Sequence, residues 1–217
     1  MGYTLILGNK DWSSWSLRPW LAMKATGAPF EEIVIRLRQP QSRDEILKHS
    51  HSGKVPALRI AESGREHLIW DSLAICETLA ERHPDAKLWP DDPFSRAEAR
   101  AYACEMHSGF PDVRDQLSMD FARRVPTPEL REETKAQIAR IIEAWTHTLT
   151  KHGNAGGFLF GRFSIADCMY APVCSRFVTY GIETPKRIGD YVARMMALPA
   201  MKEWARDSQA EVDAGIS

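Results

Sequence analysis

Val55-Pro56-Ala57-Leu58-Arg59-Ile60, the turn Glu62-Ser63-Gly64 and the run His67-Leu68-Ile69-Trp70 decide how this chain folds. Two short apolar runs joined by a brief glycine-containing loop read as a β-hairpin. Asp71-Ser72 follows at once and opens a helix to about Arg82, with Leu73, Ile75, Cys76 and Leu79 on its apolar side. Upstream, residues 3–7 are an apolar run suited to a buried strand, and residues 9–16 are a polar loop. Residues 17–25 read as a helix closed by Gly27 as its C-terminal cap, and residues 33–37 as a β-branched strand. Ser42-Arg43-Asp44-Glu45 is a capping-box start for a short helix ending near Lys48.

The order β-α-β-α-β-β-α over residues 1–82 is the topology of an α/β thioredoxin-like sheet. Residues 83–93 hold three prolines and read as a linker. Residues 94–217 read as an all-α domain. Ser95-Arg96-Ala97-Glu98 is a second capping box, opening a helix to about Ser118. Pro128 suits the first turn of a helix that runs to about Lys151, where Gly153-Asn154-Ala155-Gly156-Gly157 breaks it. Residues 164–180 and 187–196 give two more helices, and a last one starts near Pro199.

The 217 residues are 44% hydrophobic and 26% charged, enough apolar material for a core without disulfides. A formal net charge of -1 excludes a basic nucleic-acid footprint and a polybasic membrane surface. No run approaches the roughly 18 consecutive apolar residues of a membrane span. The start, Met1-Gly2-Tyr3-Thr4, lacks the basic region of a signal peptide. Cys76, Cys104, Cys168 and Cys174 match no zinc spacing and read as thiols of a reducing compartment, the cytoplasm. The histidines are scattered, so no metal is expected.

Four segments carry chemistry. Ser13-Ser14-Trp15-Ser16 leads into a helix, whose start stabilises an anion. A hydroxyl there either caps the helix or donates to a bound thiolate, whose pKa then falls from about 8.5. Pro19 fits only a first helical turn, which puts the start near Ser16 and leaves Ser13 and Ser14 in the loop ahead of it. In Gly53-Lys54-Val55-Pro56, the proline has no N–H for a ladder, so Val55 offers its backbone to an extended peptide or simply enters a turn. Asp71 and Ser72 either cap a helix or hold an ammonium and a carboxylate. Ser164 and Asp167 read as a structural capping box.

Together, Ser13-Ser14-Trp15-Ser16-Leu17-Arg18, Lys54-Val55-Pro56-Ala57-Leu58, Asp71-Ser72-Leu73-Ala74-Ile75 and Phe163-Ser164-Ile165-Ala166-Asp167 resemble the cytosolic glutathione transferases along essentially the whole chain. Cys-type members carry their cysteine five residues before the arginine of the first helix. Five before Arg18 is Ser13, so the resemblance is to a Ser-type member near the zeta, tau and phi-like branch. It implies that Ser13, with Ser14 as the alternative, activates the thiol. It also implies that Val55 pairs with the cysteinyl backbone beside a cis Pro56, that Asp71 and Ser72 hold the γ-glutamyl end, and that Lys54 and Gln41 face the glycyl carboxylate. Trp12, Trp15 and His107 would line the pocket for a small electrophile, and Arg18 and Arg114 would either be solvated or attract an acidic substrate. The activity implied is conjugation of glutathione to that electrophile. The alternatives are a glutathione-dependent cis–trans isomerase, like maleylacetoacetate isomerase, and a non-catalytic binding protein. A homodimer is implied by the resemblance alone.

Overall fold

A computed structural model describes residues 2–153 and 156–216. β1 (Gly2–Gly8) runs inside a four-stranded sheet of order β2-β1-β3-β4, where β2 is Glu31–Ile35, β3 Ala57–Glu62 and β4 Arg65–Trp70. β1 pairs in parallel with β2, Ile6 opposite Ile33, and antiparallel with β3, Leu5 opposite Leu58. β3 and β4 form the expected hairpin, with Ile60 opposite His67. Alternation along β1 splits its side chains between two cores. Leu5 and Leu7 join the main core with Leu58 and Ile60, while Ile6 joins a small one with Ile35, Ile46 and Ala57.

Helices cover both faces. α1 (Ser14–Thr26) and α3 (Ser72–Arg82) lie on the main core, and the short α2 (Ser42–Leu47) buries Ile46 on the other side. The helical half comprises α4 (Pro93–Ser108), α5 (Pro111–Gln116), α6 (Glu132–His152), α7 (Ile165–Thr179), α8 (Lys186–Ala197) and α9 (Pro199–Asp213). α7 is buried along nearly its whole length and packs against α1 and α4. Residues 83–93 are packed rather than loose. They contain a 3₁₀ turn at Pro84–Ala86, bury Leu88 and Trp89, and give the Leu88 carbonyl to the Ile165 N–H at 2.9 Å.

Several boundaries differ from the sequence expectations. α1 starts at Ser14, with Pro19 inside it. The missing proline N–H forfeits one bond, to the Trp15 carbonyl, and burial of Leu17, Trp20 and Leu21 outweighs that loss. Ser42 is not the cap of α2. Gln41 is, without a side-chain bond, and Ser42 Oγ instead donates to the Arg36 carbonyl at 2.6 Å. The box at Ser95 and Glu98 does not form, because Asp92 caps α4 by accepting from Ser95 N–H at 2.7 Å. Glu98 pairs instead with Lys151 and His152 across to α6. The single helix expected to reach Ser118 breaks at Gly109, since Pro111 disfavours helical geometry at Phe110, which adopts φ 60°. α6 begins at Glu132, after Pro128. Of the glycine-rich break that follows it, Asn154 and Ala155 lie outside the described residues.

Two structural devices secure the regions around the site. At the start of α7, Asp167 Oδ2 accepts from Ser164 N–H at 2.9 Å and from Ser164 Oγ at 3.0 Å. Asp167 Oδ1 accepts from Leu159 N–H and from Tyr191, each at 3.1 Å. At the other end of the chain, α9 holds the β1–α1 loop. Trp204 donates to the Lys10 carbonyl at 2.7 Å, and Glu211 accepts the Lys10 and Asp11 N–H groups at 2.9 and 3.1 Å. Lys10 Nζ sits between Asp207 at 2.6 Å and Glu32 at 2.7 Å.

Candidate active site

The loop that α9 holds delivers two adjacent serines with different environments. Ser13 is the N-cap of α1, not a loop residue detached from it as Pro19 had suggested. Its Oγ accepts from Ser16 N–H at 3.4 Å and donates to Ser16 Oγ at 2.8 Å, while Ser16 Oγ accepts from Gly8 N–H at 3.0 Å. Ser14 is the first helical residue. It is buried, and its hydroxyl bonds no other described residue.

Two cavities meet at Trp15. The larger, about 920 Å³, is edged by Lys54, Val55, Pro56, Asp71, Ser72 and His107. The Val55–Pro56 peptide is cis, and β3 begins only after it, at Ala57, because a proline has no N–H to pair. The smaller cavity, about 200 Å³, is bounded by Trp12, Ser14 and Trp15 together with Arg38, Arg114 and Arg176. Gln41 stands exposed at the cap of α2 and lines neither cavity.

Asp71 caps α3 from a strained backbone, φ 77° and ψ 134°, a conformation that costs a non-glycine residue about 1–3 kcal/mol. Oδ1 accepts from the N–H groups of Leu73 at 2.9 Å and Ala74 at 3.3 Å. Oδ2 lies 2.7 Å from His107 Nε2. Burial pushes this carboxyl up, but the His107 bond and charge and the two backbone donors outweigh it and hold Asp71 below the usual range. Beside it, Ser72 Oγ is buried without a hydrogen-bond partner. A buried hydroxyl left unpaired at a helix start, on a residue that lines a cavity, is a prepared place for an oxyanion.

His107 lines the larger cavity, bound to Asp71 and edge-on to the Trp15 ring at 5.3 Å. A sequence separation of 36 hid the pair of Asp71 and His107 from the sequence. Arg18 is fully buried and stacks on Trp15 at 4.3 Å, so it is not a solvated helix charge. Arg114 lies over the same ring at 4.8 Å. Sequence reasoning missed Arg38 and Arg176. The signal for Arg176 was present, since Ser175-Arg176 interrupts the apolar run from Ala171-Pro172-Val173-Cys174 to Phe177. Among the described residues no group of His, Cys, Asp or Glu is placed to hold a metal, and no helix is long and apolar enough to cross a membrane.

Comparison with known proteins agrees with this architecture. The glutathione S-transferase N-terminal domain family matches residues 12–82, and the glutathione S-transferase C-terminal domain family matches residues 128–207. Glutathione S-transferase omega-1 of Rattus norvegicus is 30% identical over 133 residues, 61% of this chain and 52% of the relative. The chain thus spans about half the length of the curated relatives it matches first. A glutathione transferase homolog from Burkholderia GL BGR1, solved with bound glutathione, superposes with a TM-score of 0.72 at 22% identity, over 97% of this chain and 99% of that one. Maleylacetoacetate isomerase from Anaeromyxobacter dehalogenans 2CP-1, also solved with bound glutathione, has a TM-score of 0.69 at 26% identity, over 95% and 97%. With the N-terminal family matched on the sheet half, the C-terminal family on the helical half, and the fold shared from end to end, the chain belongs to the glutathione S-transferase family.

Proposed function

We propose that this protein is a Ser-type glutathione transferase that binds glutathione in the larger cavity and directs its thiolate at a small electrophile. The observation that carries this reading is the unpartnered, buried Ser72 hydroxyl beside Asp71 at the start of α3. The γ-glutamyl carboxylate would take the Ser72 hydroxyl and N–H, and its ammonium would share Asp71 Oδ2 with His107. Val55 would pair with the cysteinyl backbone, and Lys54 would meet the glycyl carboxylate. The thiol would then lie toward Trp15 and the start of α1. There Ser14 has a free hydroxyl, while that of Ser13 is spent on Ser16. This favours Ser14 as the donor to sulfur, with Ser13 supporting the turn. Residues 1–82 would be the glutathione-binding unit and residues 94–217 the unit that completes the electrophile pocket. Family membership supports a cytoplasmic homodimer, which light scattering after size exclusion tests.

A thiol-absorbance titration of bound glutathione tests the core of this reading. The wild type should lower the thiol pKa by at least one unit from about 8.5. Ser14→Ala should restore it, and Ser13→Ala should leave most of the shift. Binding with no shift in the wild type would leave only a binding protein. The maleylacetoacetate isomerase neighbour favours one second reading, glutathione-dependent isomerisation. A product assay separates the two, since conjugate accumulates only in transfer.

A further inference from the structure

The smaller cavity holds more positive charge than the fold's own bonding consumes. Arg38, Arg114 and Arg176 line it, and no carboxylate does. Arg176, on α7, is 4% exposed. Its Nε donates to the Leu117 carbonyl at 2.7 Å, and its Nη1 is buried without an acceptor. Arg114, on α5, donates Nε to the Gly109 carbonyl at 3.0 Å and Nη2 to the carbonyls of Met106 and His107, which leaves its buried Nη1 unpaired. Arg18, stacked on Trp15, has all three guanidinium nitrogens buried and unpaired. Among the described residues none of these three forms an ion pair, although seven other arginines do.

Burying unpaired charges of one sign is costly, and each orphaned donor adds to the cost. Burial lowers the pKa of all three arginines. Arg18 is lowered further by Arg114 and Arg176, and Arg176, lowered further by Arg114, falls to about 9. A bound anion would reverse both penalties. Forked, planar guanidinium donors fit a carboxylate in two-point contact. The size fits too, since the cavity measures about 200 Å³ and one of about 150 Å³ accommodates benzene.

We propose that this cavity binds the carboxylate of an anionic electrophile. The substrate class is therefore a small carboxylic acid that bears its reactive carbon within one ring or a short chain of the carboxylate. This rests on the transferase reading and names the substrate of that site. Trp15 lines both cavities, so an electrophile anchored by Arg114 and Arg176 would present its other end toward the sulfur.

Calorimetry without glutathione, using 4-chloro-3-nitrobenzoate and its methyl ester, tests the proposal on probes with the same reacting carbon. The wild type should bind the acid at least tenfold more tightly than the ester, as expected for one desolvated charge-assisted contact. Arg176→Gln should remove that preference, and Arg176→Lys should keep part of it. Arg38→Gln, at an exposed position stacked on Trp12, should weaken the preference severalfold and decides the matter if the Arg176 variants do not fold. Equal affinity for acid and ester, or a preference that survives in every folded variant, would overturn the proposal. Glutathione titrated into the wild type separates the two readings. Arginine-dependent acid binding without glutathione binding would keep the anion cavity and sink the transferase reading. Glutathione binding without acid preference would do the reverse.

Discussion

Ser13 and Ser14 differ by one position and by what their hydroxyls already do. Ser13 closes the first turn of α1, and removing such a cap costs about 1 kcal/mol. Ser13→Ala should therefore lower the unfolding midpoint, whereas Ser14→Ala, which breaks no internal bond, should not. Calorimetry on both variants, set beside the thiol titration, assigns one residue to stability and the other to the ligand. Asp71 makes a similar case. Its low pKa is owed first to His107 among the favourable partners, so His107→Ala should raise it, as read from the carboxyl carbon shift in an NMR titration. The same variant should weaken glutathione binding, because the carboxylate loses the partner that orients it.

At the scale of elements, the start of α7 makes a pH prediction. Burial raises the Asp167 carboxyl to about 6 despite its four donors. The unfolded value is about 3.9. Between those values the folded state holds the proton more tightly than the unfolded state. This group therefore contributes stability below about pH 4, and that contribution is lost as pH rises through about 6. Its share of the midpoint should fall with pH over that window. Asp167→Asn should abolish that slope and, by setting an amide donor against existing donors, cost about 1–3 kcal/mol. A midpoint series from pH 4 to 7 on both proteins checks it. The break between α4 and α5 belongs to this scale as well. Pro111 ends one helix and starts the next, which turns Arg114 toward Trp15 instead of continuing along α4.

For the whole molecule, the two ends of the chain meet at the site. Glu211 on α9 accepts the amides of Lys10 and Asp11, and Ser208 donates to Asp11 at 2.8 Å. Asp11 in turn accepts from Ala122 N–H at 2.9 Å, so two distant segments hold the loop that presents Ser13 and Ser14. Glu211→Ala should raise amide hydrogen exchange at Lys10 and Asp11 and weaken thiolate formation, with little change in global unfolding. Unchanged protection at those two amides would show that the other contacts secure the loop without Glu211.

It was the family resemblance that grouped Val55, Pro56, Asp71 and Ser72, whereas periodicity and punctuation alone determined the order of elements through α3, the hairpin from β3 to β4 and the α7 capping box. These depend on contacts within a few residues, or on alternation along one strand. Capping was harder to read, because Ser42 and Ser95 have the right chemistry but Gln41 and Asp92 occupy the geometry. Pro19 misled for the opposite reason, as one lost hydrogen bond is small against the apolar surface α1 buries. Only the tertiary structure decided which serine keeps a free hydroxyl, that His107 reaches Asp71, and that Arg18, Arg114 and Arg176 converge without an acid among them. Those facts depend on helices distant in sequence packing against one another. Burial then changes the energy of a charge by more than any local pattern records.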